Sequence, residues 1–211
     1  MSAALLRPGL LAGLRIVVAG ARGPGHHGEP DPAGPAAAAA QACRDLGADV
    51  ASVELDLHAG EAPAEELAAD AVAGALADED RVDLALIDAG SMFAAGPTGA
   101  PVLALAMQVT WDVSRALAEQ SFLKHAPAQG GLLVLLAPPP RAGEHADGAR
   151  AGLENLARTL SIEWARFGTR TVAIAPGDAT SAAETAELVA YLASPAGAYF
   201  SGCLLDLRGG A

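Results

Sequence analysis

Aromatic residues, cysteine and lysine are scarce in this chain of 211 residues, of which only 4% are aromatic. The two cysteines, Cys43 and Cys203, share no spacing typical of a metal site or a redox motif. This excludes a small scaffold held by disulfides and favours a reducing compartment, so we expect the chain to be cytoplasmic. Both thiols are predicted to act as small core hydrophobes.

Positive charge is also scarce, because 13 lysines and arginines stand against 25 aspartates and glutamates and give a formal net charge of -12. Nucleic-acid binding requires clustered basic side chains, and no such cluster is visible along the sequence. A strongly anionic protein is also repelled by anionic membrane surfaces. We therefore predict neither nucleic acid nor a membrane as a partner.

Long hydrophobic runs are missing as well. No apolar stretch approaches the roughly 18 residues that would cross a bilayer. Pro8 and two arginines interrupt the first eighteen residues, and no small-residue cleavage site follows them. We expect neither a membrane span nor a signal peptide, and the length and the hydrophobic fraction of 52% favour one domain over residues 1–211.

Short runs rich in leucine and β-branched residues alternate with longer helical patterns, which is typical of a parallel α/β sheet. The runs are apolar on consecutive residues, as from Leu132 to Leu136, so helices should cover both faces of the sheet. The prediction is a central parallel sheet of about six strands. The predicted strands are 14–19, 49–56, 82–88, 131–137, 170–175 and 202–207.

Prolines and capping residues mark the helices between these strands. Pro35 begins a helix that ends at Gly47, and Pro63 lies in the first turn of the next helix. Ser181 and Glu184 form an S-x-x-E capping box at the start of a late helix. Two apolar stripes are predicted to face the core: Leu67, Ala71, Ala75 and Leu76 on the second helix, and Leu153, Leu156, Leu160 and Trp164 on a helix near 145–167.

The first predicted strand runs into a glycine-rich turn, LRIVVAGARGPG over 14–25. Such a turn allows backbone N–H groups to approach a pyrophosphate at a helix N-terminus. Here four prolines delay the helix until about Ala36, so an enlarged loop is favoured over a working dinucleotide turn. Adjacent His26 and His27 are interpreted as solvent-facing, so no metal site is predicted. The candidate cofactor ligands of the turn are Gly20, Gly23, Gly25 and Arg22, the last for a 2′-phosphate.

The chain resembles the short-chain dehydrogenases and reductases, in particular their ketoacyl-reductase type. Its GARGPG is similar to that family's TGxxxGxG, and VDLALIDAG over 82–90 is similar to the strand that ends in NNAG, with Ala89 and Gly90 retained as candidate cofactor ligands. Segments 149–177 and 187–210 resemble the family's active-site helix with the strand and Pro-Gly after it, and its closing segment. The resemblance covers most of the chain and implies a Rossmann-like, doubly wound fold.

The residues that perform the reaction in that family are missing here. The resemblance places Ala146 at the catalytic tyrosine, Arg150 at the lysine, Pro138 at the serine and Gln108 at the helix asparagine. Alanine cannot transfer a proton, and proline offers neither a hydroxyl nor a backbone donor. We therefore predict no catalytic residues of the family type and no activity of the chain alone.

Three nearby side chains leave alternatives open. His145 can titrate near neutrality and is the best substitute acid, although a solvated histidine near a helix start is the simpler interpretation. Arg150 can hold a phosphate or a ribose, or can form a surface salt bridge with Glu154 one turn on, and the salt bridge is favoured. Asp88 stands where the family has an asparagine.

Two parts of the family's architecture are also missing. Only one predicted strand, 49–56, lies between the first helix and strand 82–88, where the family has two, so one βα unit is absent. Asp56 at the end of that strand is a candidate ligand for the adenosine ribose, or else an ordinary turn cap. Only DATSAA follows Pro176 and Gly177 before the capped helix, which is too short for a substrate lid.

Helices 98–125 and 145–167 and the closing strand are retained, and the family uses these parts for assembly. The leading hypothesis is a catalytically silent subunit that assembles with and stabilises an active paralogue acting on a keto- or hydroxyacyl-type substrate, or that assembles with itself. The alternatives are a divergent NAD(P)-dependent oxidoreductase, lyase or isomerase using His145 or Asp88, and a nucleotide or small-molecule sensor. The leading hypothesis predicts no cofactor, and the alternatives allow NAD(P).

Overall fold

The computed structural model describes residues 7–22, 34–57, 64–76, 81–124 and 130–208. Six parallel strands form one sheet in the order β2-β1-β3-β4-β5-β6. The strands are Arg15–Ala21 (β1), Asp49–Leu55 (β2), Leu84–Asp88 (β3), Leu132–Leu136 (β4), Arg170–Ala175 (β5) and Cys203–Asp206 (β6). The predicted central parallel sheet of six strands is therefore confirmed.

Helices cover both faces of this sheet, as the doubly wound prediction requires. They are Pro35–Asp45 (α1), Ala64–Leu76 (α2), Ala89–Ala95 (α3), Ala100–Leu117 (α4), Ala146–Glu163 (α5) and Ala182–Ala193 (α6). Helices α1 and α6 share one hydrophobic core, and α2, α4 and α5 share the other. Helix α4 continues into a π-helical turn, Ala118–Phe122, so the element predicted over 98–125 is a helix with an irregular last turn.

The consecutive apolar residues of the strands supply both cores. Successive side chains of a strand point to opposite faces, so Val17 and Leu133 join the core under α2, α4 and α5, while Ile16 and Leu132 join the core under α1 and α6. All four are essentially inaccessible to solvent. Burial on both faces explains why these strands do not alternate between apolar and polar residues.

The predicted apolar stripe of α2 faces the core. Leu76 is buried, and Leu67, Ala71 and Ala75 are half-buried and pack against the same core. The prediction did not name Ala68 and Val72, which are buried completely, because alanines are spread around this helix and blur the stripe. Pro63, predicted in the first turn, lies outside the described residues.

Other local predictions are confirmed. The Ser181 side chain accepts from the Glu184 N–H at 3.2 Å, and the Glu184 carboxylate accepts from the Ser181 N–H at 2.8 Å, which completes the capping box. Cys43 is buried in the core, and burial raises the pKa of its thiol to about 11. Cys203 is half-buried on edge strand β6. None of the described helices combines the length and the apolar character needed to cross a membrane.

Within the described residues the sheet has one strand on the outer side of β1, whereas the common doubly wound order 3-2-1-4-5-6 has two. Strand β2 is therefore an edge strand, in agreement with the prediction that one βα unit is missing. The strand order changes direction between β1 and β3, which creates a crevice at the carboxyl ends of these two strands. Ligands of open α/β sheets bind in such a crevice.

Candidate functional site

The carboxyl edge of the sheet brings the candidate residues of different segments together. Gly20 of β1 lies in register with Asp88 of β3, and Asp88 lies in register with Leu136 of β4. Ala175 of β5 lies in register with Asp206 of β6. Because all strands are parallel, the turns that follow them face the same side of the molecule.

Ala146, which the sequence analysis aligned with the family's tyrosine, is the first residue of α5. It is completely buried, and its methyl group carries no proton to donate. His145 precedes it as a half-buried N-cap residue. Five positions along an α-helix correspond to a rotation of about 140°. His145 and Arg150 therefore project in different directions and do not form one acid-base pair.

Arg150 is buried beneath the ends of three strands. Its Nη1 donates to the carbonyl oxygens of Pro138, at 2.9 Å, and Pro176, at 2.6 Å. Its Nη2 lies 3.6 Å from Oδ1 of Asp206, and the side chain is only 6% exposed. The guanidinium thus links the turns after β4 and β5 to the end of β6.

The favoured interpretation of Arg150 as a surface partner of Glu154 is wrong. Arg158 pairs with Glu154 instead, at 2.6 Å, and both lie on the outer side of α5. Arg150 shares the inner side with Ala146, Ala149 and Leu153. Burial lowers the pKa of the Arg150 guanidinium, and nearby Arg208 lowers it further. The group stays a cation, because arginine does not lose its proton in proteins.

Pro138 and Gln108, which the sequence analysis aligned with the family's serine and asparagine, both make contacts within the fold. Pro138 is buried and contributes its carbonyl oxygen to Arg150. Gln108 lies on the exposed side of α4, where its amide donates to both carboxylate oxygens of Asp112 at 3.0 and 3.1 Å. Its side chain is therefore bound to its own helix one turn away.

Asp88 lies at the crevice between β1 and β3. Its Oδ1 accepts a hydrogen bond from the Ser91 N–H at 3.0 Å and so caps α3. Burial raises the pKa of this carboxyl to about 6, although hydrogen bonds from the Ser91 and Gly90 N–H groups favour the charged form. Asp88 is thus a half-buried titratable group near the middle of the carboxyl edge of the sheet.

The end of β1 is closely packed against this carboxylate. Ser91 Oγ accepts from the Ala21 N–H at 3.0 Å and donates to the Asp88 carbonyl oxygen at 2.8 Å. A Cβ atom on Gly20 would lie 2.9 Å from Ser91 Oγ, so any larger residue would force Ser91 or the strand to shift. Gly90 is also confined, because its Cβ would lie 3.2 Å from Asp88 Oδ1. Ala89 beside it is buried.

The remaining candidate cofactor ligands lie at the ends of β1 and β2 or outside the described residues. Arg22 pairs with Glu54, at 3.4 Å, and with Asp56, at 3.8 Å. Asp56, predicted as a ribose ligand or a turn cap, is 40% exposed at its side chain. Gly23 and Gly25, like His26 and His27, lie outside the part of the chain that the structure describes.

A cleft of about 530 Å3 opens beside the ends of β5 and β6. At its rim Arg208 is bound to Asp206, with Nε 2.9 Å from Oδ2, and this partner lowers the pKa of the Asp206 carboxyl to about 2. The segment 176–181 forms a tight turn, since Thr180 Oγ1 accepts from the Gly177 N–H at 2.8 Å. The cleft is lined by Pro140, Gly177, Asp178, Ala179, Thr180, Glu184, Leu207 and Arg208.

Sequence reasoning missed the group formed by Asp206 and Arg208. Asp206 is the last residue of β6 and Arg208 follows it two positions later, and a strand end with acidic and basic residues two apart is a signal that could have drawn attention to this pair. Their link to Arg150, 56 and 58 positions earlier, has no signature in the sequence, because it depends on how α5 packs against the sheet.

The residues present do not fit a nicotinamide dinucleotide at this edge. The donors of Arg150 Nη1 are bound to main-chain oxygens, and Ala146 has no hydroxyl for a substrate. In the crevice at the carboxyl ends of β1 and β3, a pyrophosphate would meet the carboxylate of Asp88. Arg22, which would have to receive a phosphate, is paired with two carboxylates.

Solved structures with the same fold extend over almost the whole chain. A citronellol catabolism dehydrogenase of Pseudomonas aeruginosa PAO1 is 24% identical, with 97% of each chain covered and a TM-score of 0.72. A short chain dehydrogenase of Mycobacterium smegmatis is 20% identical, with 96% of this chain and 95% of that chain covered and a TM-score of 0.74.

A 3-ketoacyl-(acyl-carrier-protein) reductase of Brucella melitensis, solved with NADH, is 19% identical, with 95% of this chain and 98% of that chain covered and a TM-score of 0.72. No family model matches the sequence. The chain therefore has the fold of the short-chain dehydrogenases and reductases, and the resemblance stated from its sequence is confirmed at the level of the fold.

Proposed function

We propose that this chain is a catalytically silent member of the short-chain dehydrogenase and reductase family, and that it assembles with an active reductase as a supporting subunit. The observation that carries the proposal is the position of its exposed hydrophobic side chains. Trp111 on α4 and Ile162 on α5 are 37% and 76% exposed, and Tyr191 on α6 and Tyr199 before β6 are 37% and 92% exposed.

These four are the large hydrophobic side chains that stand exposed among the described residues, and all lie in the second half of the chain. Single exposed hydrophobic residues are ordinary on protein surfaces. Three of the four lie on α4, on α5 and on the approach to β6, which are the elements that the family resemblance associates with assembly, and this position supports an interface.

The two edge strands of the sheet differ in the same sense. Edge strand β2 carries Asp49 and Glu54, whereas β6 is mainly apolar, with Leu204 and Leu205 half-buried. Charged side chains on an edge strand oppose pairing with another chain, and an apolar edge permits it. We propose that β6 and its flanks form part of the interface and that β2 does not.

The silent character of the subunit is supported by Ala146 and Arg150. A short-chain reductase needs a proton donor at the position of Ala146 and a free cation at the position of Arg150. Here Ala146 offers only a buried methyl group, and the Arg150 guanidinium is bound to the carbonyl oxygens of Pro138 and Pro176. Since one similar structure is a 3-ketoacyl-(acyl-carrier-protein) reductase, we propose a keto- or hydroxyacyl substrate for the active partner.

The test is native mass spectrometry of the protein purified gently from its own source. We expect a mixed assembly that contains a complete reductase subunit, with no nucleotide on this chain. A homo-oligomer that carries a stoichiometric nicotinamide would contradict the proposal and would favour the divergent oxidoreductase. Retention of another small molecule in the 530 Å3 cleft would favour the sensor instead.

Surface variants locate the interface. Ile162→Glu and Tyr199→Glu introduce a charge at exposed hydrophobic positions and should dissociate the assembly without unfolding the chain. Ala73→Glu places the same charge on the exposed side of α2 and serves as the control. Equal behaviour of all three variants would show that the interface lies elsewhere.

A further inference from the structure

The crevice between β1 and β3 contains a negative charge at the point where doubly wound folds bind the phosphates of a dinucleotide. Gly20, at the end of β1, lies directly opposite Asp88 in the register of the two strands. The Cβ atom of Asp88 lies 3.5 Å from the position that a Cβ would take on Gly20. The carboxylate is thus a neighbour of the backbone that a pyrophosphate would have to approach.

Hydrogen bonds hold the carboxylate in this place. The Ser91 N–H donates to Asp88 Oδ1 at 3.0 Å, and Ser91 Oγ donates to the Asp88 carbonyl oxygen at 2.8 Å. The same Oγ accepts from the Ala21 N–H at 3.0 Å, which directs the last amide of β1 towards α3. An amide that is already satisfied within the chain contributes little to binding an anion.

The neighbouring charges do not offset Asp88. Among the described residues, the carboxyl ends of β1, β2 and β3 carry one cation, Arg22, and three carboxylates, those of Glu54, Asp56 and Asp88. Arg22 forms ion pairs with Glu54 and Asp56, which leaves Asp88 without a cationic partner among these residues. The described residues of this crevice therefore carry a net negative charge, and this charge repels a ligand with two phosphate charges in an environment partly shielded from water.

We infer that the Asp88 carboxylate excludes pyrophosphate-bearing ligands from this crevice, so that the chain keeps a dinucleotide-binding fold with a crevice closed to dinucleotides. The exclusion acts on the phosphates, and an uncharged nucleoside is not repelled by the same charge. This inference deepens the proposed silent role. It is tested on the isolated full chain, so it can fail or succeed independently of whether a partner subunit exists.

The probes are ADP, which carries the pyrophosphate, and adenosine, which does not, with binding measured by isothermal titration calorimetry. Asp88→Asn removes the charge and retains a side chain that caps α3, because asparagine is as good an N-cap as aspartate. Asp45→Asn removes one charge at the exposed end of α1, next to the amino edge of the sheet, and controls for net charge.

We expect Asp88→Asn to raise the affinity for ADP roughly tenfold or more over the unaltered chain, with adenosine affinity and the Asp45→Asn variant unchanged. Three outcomes would overturn the inference. One is micromolar binding of ADP by the unaltered chain, another is no gain for ADP in Asp88→Asn, and the third is an equal gain for adenosine. Circular dichroism of both variants verifies that the fold is kept.

Discussion

The two halves of the carboxyl edge are held by side chains of opposite charge. On the β1 and β3 side the Asp88 carboxylate accepts from the N–H groups at the start of α3. On the β4 to β6 side the Arg150 guanidinium donates to the carbonyl oxygens of Pro138 and Pro176. In both halves a charged side chain at the ligand-binding edge is hydrogen-bonded to the chain's own backbone, although Arg150 Nη2 has no hydrogen-bond partner and makes only the 3.6 Å ion pair with Asp206.

The two charged side chains, Arg150 and Asp88, also differ in how deeply they are buried. Arg150 is almost completely buried and joins three strand ends, so its contribution is mainly to stability. Asp88 is half-buried at an open crevice, so its charge acts both on the fold and on any ligand that enters. We therefore expect the stability contributed by the Asp88 side to depend on pH. The stability contributed by the Arg150 side should depend on the hydrogen-bond donors of its guanidinium.

Replacing Arg150 should have the largest effect on stability. Arg150→Met keeps an apolar stem of similar length and removes the donors, which leaves two buried carbonyl oxygens without partners at a cost of about 3 kcal/mol in the free energy of unfolding. Urea denaturation measures the loss. Arg158→Ala, which breaks the exposed pair with Glu154, should cost about 0.5 kcal/mol or less. Similar losses in the two variants would show that Arg150 does not link the strand ends.

Asp88 should make the stability of the chain depend on pH. The pKa of the folded-state carboxyl, raised from 3.8 to about 6, means that the group is neutral in both states below about pH 4 and charged in both above about pH 6. The unaltered chain should therefore lose at most about 3 kcal/mol relative to Asp88→Asn as the pH rises through this window, and no more beyond it.

Urea denaturation of both proteins between pH 4 and pH 8 measures this difference. The exposed Asp45→Asn variant provides the baseline for removing one carboxylate far from the crevice. A difference between the unaltered chain and Asp88→Asn that stays constant over the whole range would show that burial does not shift the titration of Asp88.

A smaller effect is expected from the contact between Gly20 and Ser91. Gly20→Ala places a Cβ 2.9 Å from Ser91 Oγ and should cost about 1 to 2 kcal/mol in the free energy of unfolding. Ser91→Ala removes the clashing atom together with its hydrogen bonds. The double variant should then be less destabilised than the sum of the two single variants by about 1 kcal/mol, as thermal denaturation can measure. Simple additivity would show that the two sites do not touch.

Local patterns in the sequence were sufficient where neighbouring residues decide the structure. The capping box of Ser181 and Glu184 and the strand at Arg170–Ala175 form as predicted. The stripe predicted for α2 faces the core, but it leaves out the completely buried Ala68 and Val72, because alanines spread around the helix do not show which residues are buried most deeply.

At the site, the sequence predicted which side chains are replaced but not what the remaining ones contact. Ala146 cannot transfer a proton in any fold, so that conclusion needed no structure. Arg150 was assigned to the surface because Glu154 follows one turn later, and the structure places it inside. A spacing of four residues allows a salt bridge, whereas the orientation of the helix on the sheet decides which of its sides faces solvent.

The sequence by itself determined the alternation of strands and helices and the parallel sheet, since both follow from residue types over short distances. Only the tertiary structure decided that Asp88 lies opposite Gly20 and that Arg150 joins Pro138, Pro176 and Asp206. These contacts join segments far apart in the chain. Their energies depend on burial and on the direction of each side chain, which no local pattern records.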